Sequence, residues 1–217
     1  MIELKNINKS YGEKVIYKDF SVGFEQNKIT AILGASGSGK TTLINVIANL
    51  TDFSGEILGD INPVSIVFQN DRLVNNLSVL ENIKLVAKNV SDEQIISALK
   101  EIGLGDSINA YPKTLSKGMA RRVALLRAFL YPSKTLLMDE PFVNLDLSLK
   151  FSLMDIVKKL KDKNDKTVLF ITHDVKEASY LSDSVLVISG GKIIKEVKTV
   201  NEKTEKELFG LMLKLNN

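Results

Sequence analysis

Three short stretches of this 217-residue chain carry side chains suited to phosphate chemistry. "GASGSGKT", Gly34 to Thr41, is a glycine, four residues, then Gly-Lys-Thr, the spacing of a phosphate-binding P-loop. Its glycines let backbone N–H groups turn inward around phosphate oxygens, and a helix starting near Lys40 adds its positive N-terminal end. Lys40 supplies a point charge to the outer phosphates and Thr41 a hydroxyl for Mg²⁺. "TLLMDEP" ends an apolar run in two carboxylates. Asp139 suits a magnesium ion, and Glu140 can accept a proton from an attacking water. The one histidine, His173, follows another apolar run in "FITHDVKEA".

The elements that must position these groups are legible as the runs "ITAIL" (29–33), "VSIVF" (64–68), "TLLMD" (135–139), "TVLFIT" (167–172) and "VLVIS" (185–189). They are continuously apolar instead of alternating, which suits strands of a parallel sheet covered on both faces. Ser78-Val-Leu-Glu81 and Ser91-Asp-Glu-Gln94 have capping-box spacing, and Asp174-Val-Lys-Glu177 has it with an aspartate cap. Strands alternating with helices imply an α/β fold with right-handed crossovers. Ligands of such sheets bind beyond the carboxyl ends of the strands. Four of those ends lead into the P-loop, Gln69, Asp139-Glu140 and His173. "GG" at 190–191 reads as a tight hairpin, and "EKELFGLMLKL" as a C-terminal helix after which no regulatory domain is expected.

A composition of 44% hydrophobic and 25% charged residues is that of one soluble globular domain. The 29 basic and 26 acidic residues are spread along the chain, so no stripe marks a nucleic-acid footprint. Without cysteine, and with one histidine, neither a disulfide framework nor a thiolate or histidine-rich metal centre is available. No apolar run approaches the ~20 residues that cross a bilayer, and the charged "MIELKNINKSYGEK" does not resemble a signal peptide. Work at a membrane requires another chain's spanning helices.

Together these residues resemble the ATP-binding-cassette (ABC) ATPase family over essentially the whole chain. The stretch most particular to it is "TLSKGMARRVALLRAFLYPSKTLLMDEP", 114 to 141, in which a signature segment opens a helix leading to the Asp139 strand. The resemblance implies an α/β P-loop NTPase of ABC type with a mainly parallel core sheet, an N-terminal antiparallel β region and an inserted helical lobe. It implies one domain over 1–217 with a helical subdomain at about 71–128. Gly34, Ala35, Ser36, Gly37, Ser38, Gly39, Lys40, Thr41 and Thr42 are the implied nucleotide cradle, and Tyr11 the adenine platform. Thr41, Gln69 and Asp139 are the implied magnesium ligands, and Glu140, His173, Gln69 and Asp146 the implied catalytic residues. Glu140 is the expected general base, and His173 holds the γ-phosphate and the water in line. Two copies pack head to tail around two ATP molecules, each bound also by Ser116, Lys117 and Gly118 of the other. Implied partners are a second copy, transmembrane permease subunits and a solute-binding protein, with no nucleic acid, at the cytoplasmic side of the cell membrane.

The chain departs from the family's usual LSGGQ signature at Lys117 and Met119. A lysine disfavours positive φ, so this position needs a right-handed or extended backbone. Its ammonium either adds charge near the partner's nucleotide or faces solvent. Arg121 and Arg122 support the interface or face water, and Tyr11 either stacks on adenine or packs. "QNDRLVNNLSVLENI", 69 to 83, is implied to line a groove for a coupling helix of the membrane subunit, with Leu73 and Val79 among its contacts. The implied function is ATP hydrolysis powering solute import, in segments most similar to the nitrate, sulfonate, taurine and thiamine-precursor group. An efflux or lipoprotein-release ATPase is the alternative. A soluble cassette acting on DNA or ribosomes calls for paired cassettes or a coiled-coil insertion, and a small-molecule kinase leaves the signature unexplained.

Overall fold

Each continuously apolar run forms a strand. In the computed structural model, which describes residues 1–215, the chain runs through β1 (Ile2–Tyr11), β2 (Lys14–Phe24), β3 (Ile29–Leu33), α1 (Lys40–Ile47), β4 (Ser54–Leu58) and β5 (Val64–Val67). Then come α2 (Val79–Lys84), α3 (Asp92–Glu101), α4 (Lys117–Leu130), β6 (Thr135–Asp139), α5 (Leu147–Asp162) and β7 (Thr167–Thr172). The last elements are α6 (Val175–Leu181), β8 (Ser184–Ser189), β9 (Lys192–Val197) and α7 (Glu202–Leu215). One antiparallel sheet has the order β2-β1-β4. The other, β5-β6-β7-β3-β8-β9, is parallel except for β9.

The missing alternation has a direct cause. Successive strand residues point to opposite faces, and here both faces are cores. Ala31, Leu136, Met138, Val168 and Phe170 pack with α4, α5 and α6. Ile32, Leu137, Leu169 and Ile171 pack with α1 and the antiparallel sheet. Because β5, β6, β7 and β3 are consecutive neighbours, their carboxyl ends stand in one row, at strand spacings of about 4.8 Å.

The turn Gly190-Gly191 has φ of 53° and 71°, the mirror-image geometry whose twist matches a two-residue hairpin. Ser78 and Ser91 form reciprocal capping boxes with Glu81 and Gln94. The third expected box does not form. Asp174 accepts from the Lys176 N–H, while Glu177 turns to Lys150 and Thr172. Val79 is fully buried and Leu73 packs partly against the same core, so Val79 lines no groove.

Candidate functional site

The P-loop follows β3 and leads directly into α1. Gly37 and Gly39 have φ of 76° and 105°, where a side chain is disfavoured. At Gly34 the constraint is space, since a Cβ would lie 2.2 Å from the Ile188 carbonyl oxygen. Lys40 Nζ donates to the carbonyls of Gly34 (2.9 Å) and Ala35 (2.8 Å) and to Ser38 Oγ (3.4 Å). Burial lowers the Lys40 pKa, and the Glu140 and Asp139 carboxylates oppose that shift. Gly37, Gly39 and Lys40 border a cleft of about 240 Å³, lined also by Lys14 and Ile16 of β2. Ser36, Thr41, Thr42 and Glu140 also line it.

Asp139 ends β6, and its Oδ1 accepts from Thr41 Oγ1 at 3.3 Å. Burial raises its pKa; Glu140 acts in the same direction, while the Thr41 bond and the Lys40 charge oppose it. A hydroxyl and a carboxylate side by side are hard oxygen donors of the kind Mg²⁺ takes, with phosphate and water oxygens completing its shell. Thr41 and Asp139 therefore fit the ion. Gln69, the third expected ligand, is exposed, and its side chain makes no hydrogen bond to either of them among the described residues. Its backbone carbonyl instead accepts from Arg121.

Glu140 lies at φ 45°, and its Oε1 is 3.5 Å from His173 Nδ1. The turn carrying His173 is braced. Thr172 Oγ1 donates to Glu177 (2.6 Å), Lys150 Nζ donates to the same carboxylate (2.6 Å), and the Asp174 N–H donates to Thr172 Oγ1 (3.0 Å). Sequence reasoning missed Lys150 and its pairing with Glu177, because the two sit on different helices and share no local spacing. It also passed over Tyr17, which is fully buried and donates its hydroxyl to the Gly39 carbonyl at 2.8 Å. Burial pushes that phenol's pKa up. An aromatic inside a strand gives no cue beyond core packing.

The remaining expected residues do not line the cleft of their own chain. Tyr11 is exposed at the end of β1, with the Lys9 ammonium 4.5 Å from its ring centroid. Its cross-strand partner Lys14 does reach the cleft. Asp146 caps α5, accepting from the Leu149 N–H at 2.9 Å. Ser116 caps α4, accepting from the Met119 N–H at 3.2 Å. Gly118 is helical, and its lack of a Cβ admits Leu149.

Lys117 has the right-handed backbone of a helix start and is exposed, and its ammonium donates to the Asn144 carbonyl at 2.7 Å. One expectation changes. Arg121 is 3% exposed and serves neither an interface nor water. It donates to the Phe68 and Gln69 carbonyls and pairs with Asp71 at 3.0 Å.

Known proteins resemble this chain in sequence and in fold. The ABC transporter family profile matches residues 17–143, more than half of the chain. The aliphatic sulfonates import ATP-binding protein SsuB 1 of Paracoccus denitrificans is 35% identical, over 90% of this chain and 82% of that protein. An SsuB 2 of Pseudomonas syringae pv. tomato is 38% identical, over 86% of this chain and 82% of that protein. The structure of cbiO1 from Clostridium perfringens, part of the ABC transporter complex cbiONQ, matches with a TM-score of 0.83 at 25% identity, over 96% of this chain and 90% of that one. A bacterial ABC transporter cassette solved as a dimer matches with a TM-score of 0.77 at 29% identity, over 90% of this chain and 97% of that one. With a P-loop, a paired carboxylate and a histidine brought to one sheet edge, and relatives that match along nearly its whole length, the chain belongs to the ABC transporter family.

Proposed function

We propose that Glu140 is the general base of ATP hydrolysis in the cleft between the P-loop and Asp139. The chain is the ATP-binding and ATP-hydrolysing subunit of an ABC import system, working as a pair of copies with a membrane permease. The observation that carries the catalytic assignment is the convergence of Lys40, Asp139, Glu140 and His173 on the ends of neighbouring strands, with His173 3.5 Å from Glu140.

Lys40 and the inward N–H groups hold the outer phosphates. Thr41 and Asp139, joined by Gln69 as the expected third ligand, would hold the magnesium ion, which would supply positive charge against the phosphate oxygens. Glu140 takes a proton from water as the water oxygen bonds to the γ-phosphorus and the bond to the ADP oxygen breaks. His173 donates a hydrogen bond that keeps water and phosphate aligned. Tyr11 stacks on the adenine, and Ser116, Gly118 and Asp146 of the second copy close the site. Residues 71–128 form the helical subdomain of a single ATPase domain, and a solute-binding protein delivers the cargo. The subunit sits at the cytoplasmic face of the membrane. Similarity to sulfonate importers supports a sulfonate-type solute.

Glu140→Gln tests the assignment. It is expected to bind ATP, to accumulate an ATP-dependent dimer on gel filtration, and to release phosphate about 100-fold more slowly or worse. A monomer with the wild-type rate overturns the general-base role. Co-purification with the permease and uptake in vesicles test import.

A further inference from the structure

The first turn of α4 is docked on the loop that follows Glu140. Lys117 Nζ donates to the Asn144 carbonyl at 2.7 Å across a separation of 27 residues. The next residue, Gly118, approaches so closely that a Cβ there would lie 2.8 Å from Leu149 Cδ1.

The receiving loop is short and internally fixed. It leaves β6 at Glu140 (φ 45°), buries Phe142 completely, is left-handed again at Asn144 (φ 56°), and ends where Asp146 caps the Leu149 N–H. The Val143 N–H bonds back to the Glu140 carbonyl at 3.3 Å. One turn of backbone therefore joins the peptide that Lys117 grips to the residue carrying the proposed base.

From this geometry we infer that Lys117 is a positioning residue for hydrolysis, its ammonium tying the start of the signature helix to the Asn144 carbonyl and so holding the loop that sets Glu140. Among the described residues it makes the one side-chain hydrogen bond between that helix turn and that loop. A glycine at this position offers no such link. Gly118 and Leu149 then act as the apolar half of the same contact. A movement at the start of α4 is passed to Glu140 through a bond that an unbranched apolar side chain cannot make.

The inference rests on the ATPase reading, and two measurements separate their failures. In the free protein, amide hydrogen exchange at Val143 and Leu149 reports the loop directly, because their N–H groups bond to the Glu140 carbonyl and to Asp146. Lys117→Met is expected to speed that exchange about 5-fold, the worth of one largely exposed charge-assisted hydrogen bond. In steady-state hydrolysis the same variant is expected to lower kcat about 5-fold, with KM for ATP unchanged within about 2-fold. Lys117→Arg, which keeps a cationic donor, is expected to restore both readouts. Wild-type exchange in Lys117→Met, a wild-type kcat, or a raised KM alone overturns the positioning role. If the wild-type protein releases no phosphate, the ATPase reading falls, and exchange still decides the tether: faster exchange supports it and equal exchange sinks it.

Discussion

At Glu140 the backbone holds a left-handed conformation that costs a residue with a side chain about 1 to 2 kcal/mol. Other non-glycine residues in that region are asparagine or aspartate, with Arg72 the exception, and short polar side chains tolerate it best. Phe142, buried two residues later, fixes the turn, so the strain is retained where the carboxylate meets His173. The His173 side chain is 57% exposed, so little packing depends on it. His173→Ala is expected to cut phosphate release about 100-fold and to leave the melting temperature unchanged; a lowered melting temperature with normal turnover makes it a structural residue. Lys166 is the opposite case, being 4% exposed and donating to the Tyr131 carbonyl and to Ser133. Burial pushes its pKa down from 10.5 to about 8. The unfolded chain then binds more protons between those values, so stability rises as pH climbs from about 8 towards 10.5, whereas below 8 both states are protonated. Urea midpoints across that range are expected to rise in the wild type relative to Lys166→Met; parallel profiles refute the assignment.

At the scale of elements, α4 does more than present the signature turn. Arg121 and Arg127 reach from it to the carbonyls of Phe68, Gln69, Asp71 and Arg72. The segment carrying Gln69 is thus fastened to the helix that begins at Lys117. Arg121→Met leaves the half-buried Asp71 carboxylate without its ion-pair partner and two carbonyls without their donor, and is expected to cost about 3 kcal/mol in urea unfolding; a loss within experimental error means the guanidinium is replaceable by water. The strand runs and two capping boxes were legible because period and cap spacing are local signals. The Asp174 box was not, because Glu177 is claimed by Lys150 of α5, a competition that spacing within α6 does not reveal. Arg121 read as a surface residue for the same reason, its partners lying 50 residues back in the chain.

Across the whole molecule, the β8–β9 hairpin braces the nucleotide site from the far end of the sequence. Its Gly191 N–H donates to the Ser38 carbonyl at 3.4 Å, and a Cβ on Gly191 would lie 2.0 Å from the Ile16 carbonyl oxygen. Gly190 has open space within 4 Å. Gly190→Ala is therefore expected to cost only the backbone term, about 1 kcal/mol, and Gly191→Ala about 2 kcal/mol or more together with weaker ATP binding. Equal losses in denaturation and nucleotide titration show that the contact with β2 and the P-loop is not what selects glycine. The sequence by itself determined which groups exist and which short elements carry them, since P-loop spacing, apolar runs and helix caps are written within a few residues of one another. Only the tertiary structure decided that β5, β6, β7 and β3 stand side by side, that Lys117 grips Asn144, and that Gly118 and Gly191 are small for the sake of distant neighbours. Those outcomes depend on how separate elements pack, and no local period or spacing encodes which remote surfaces meet.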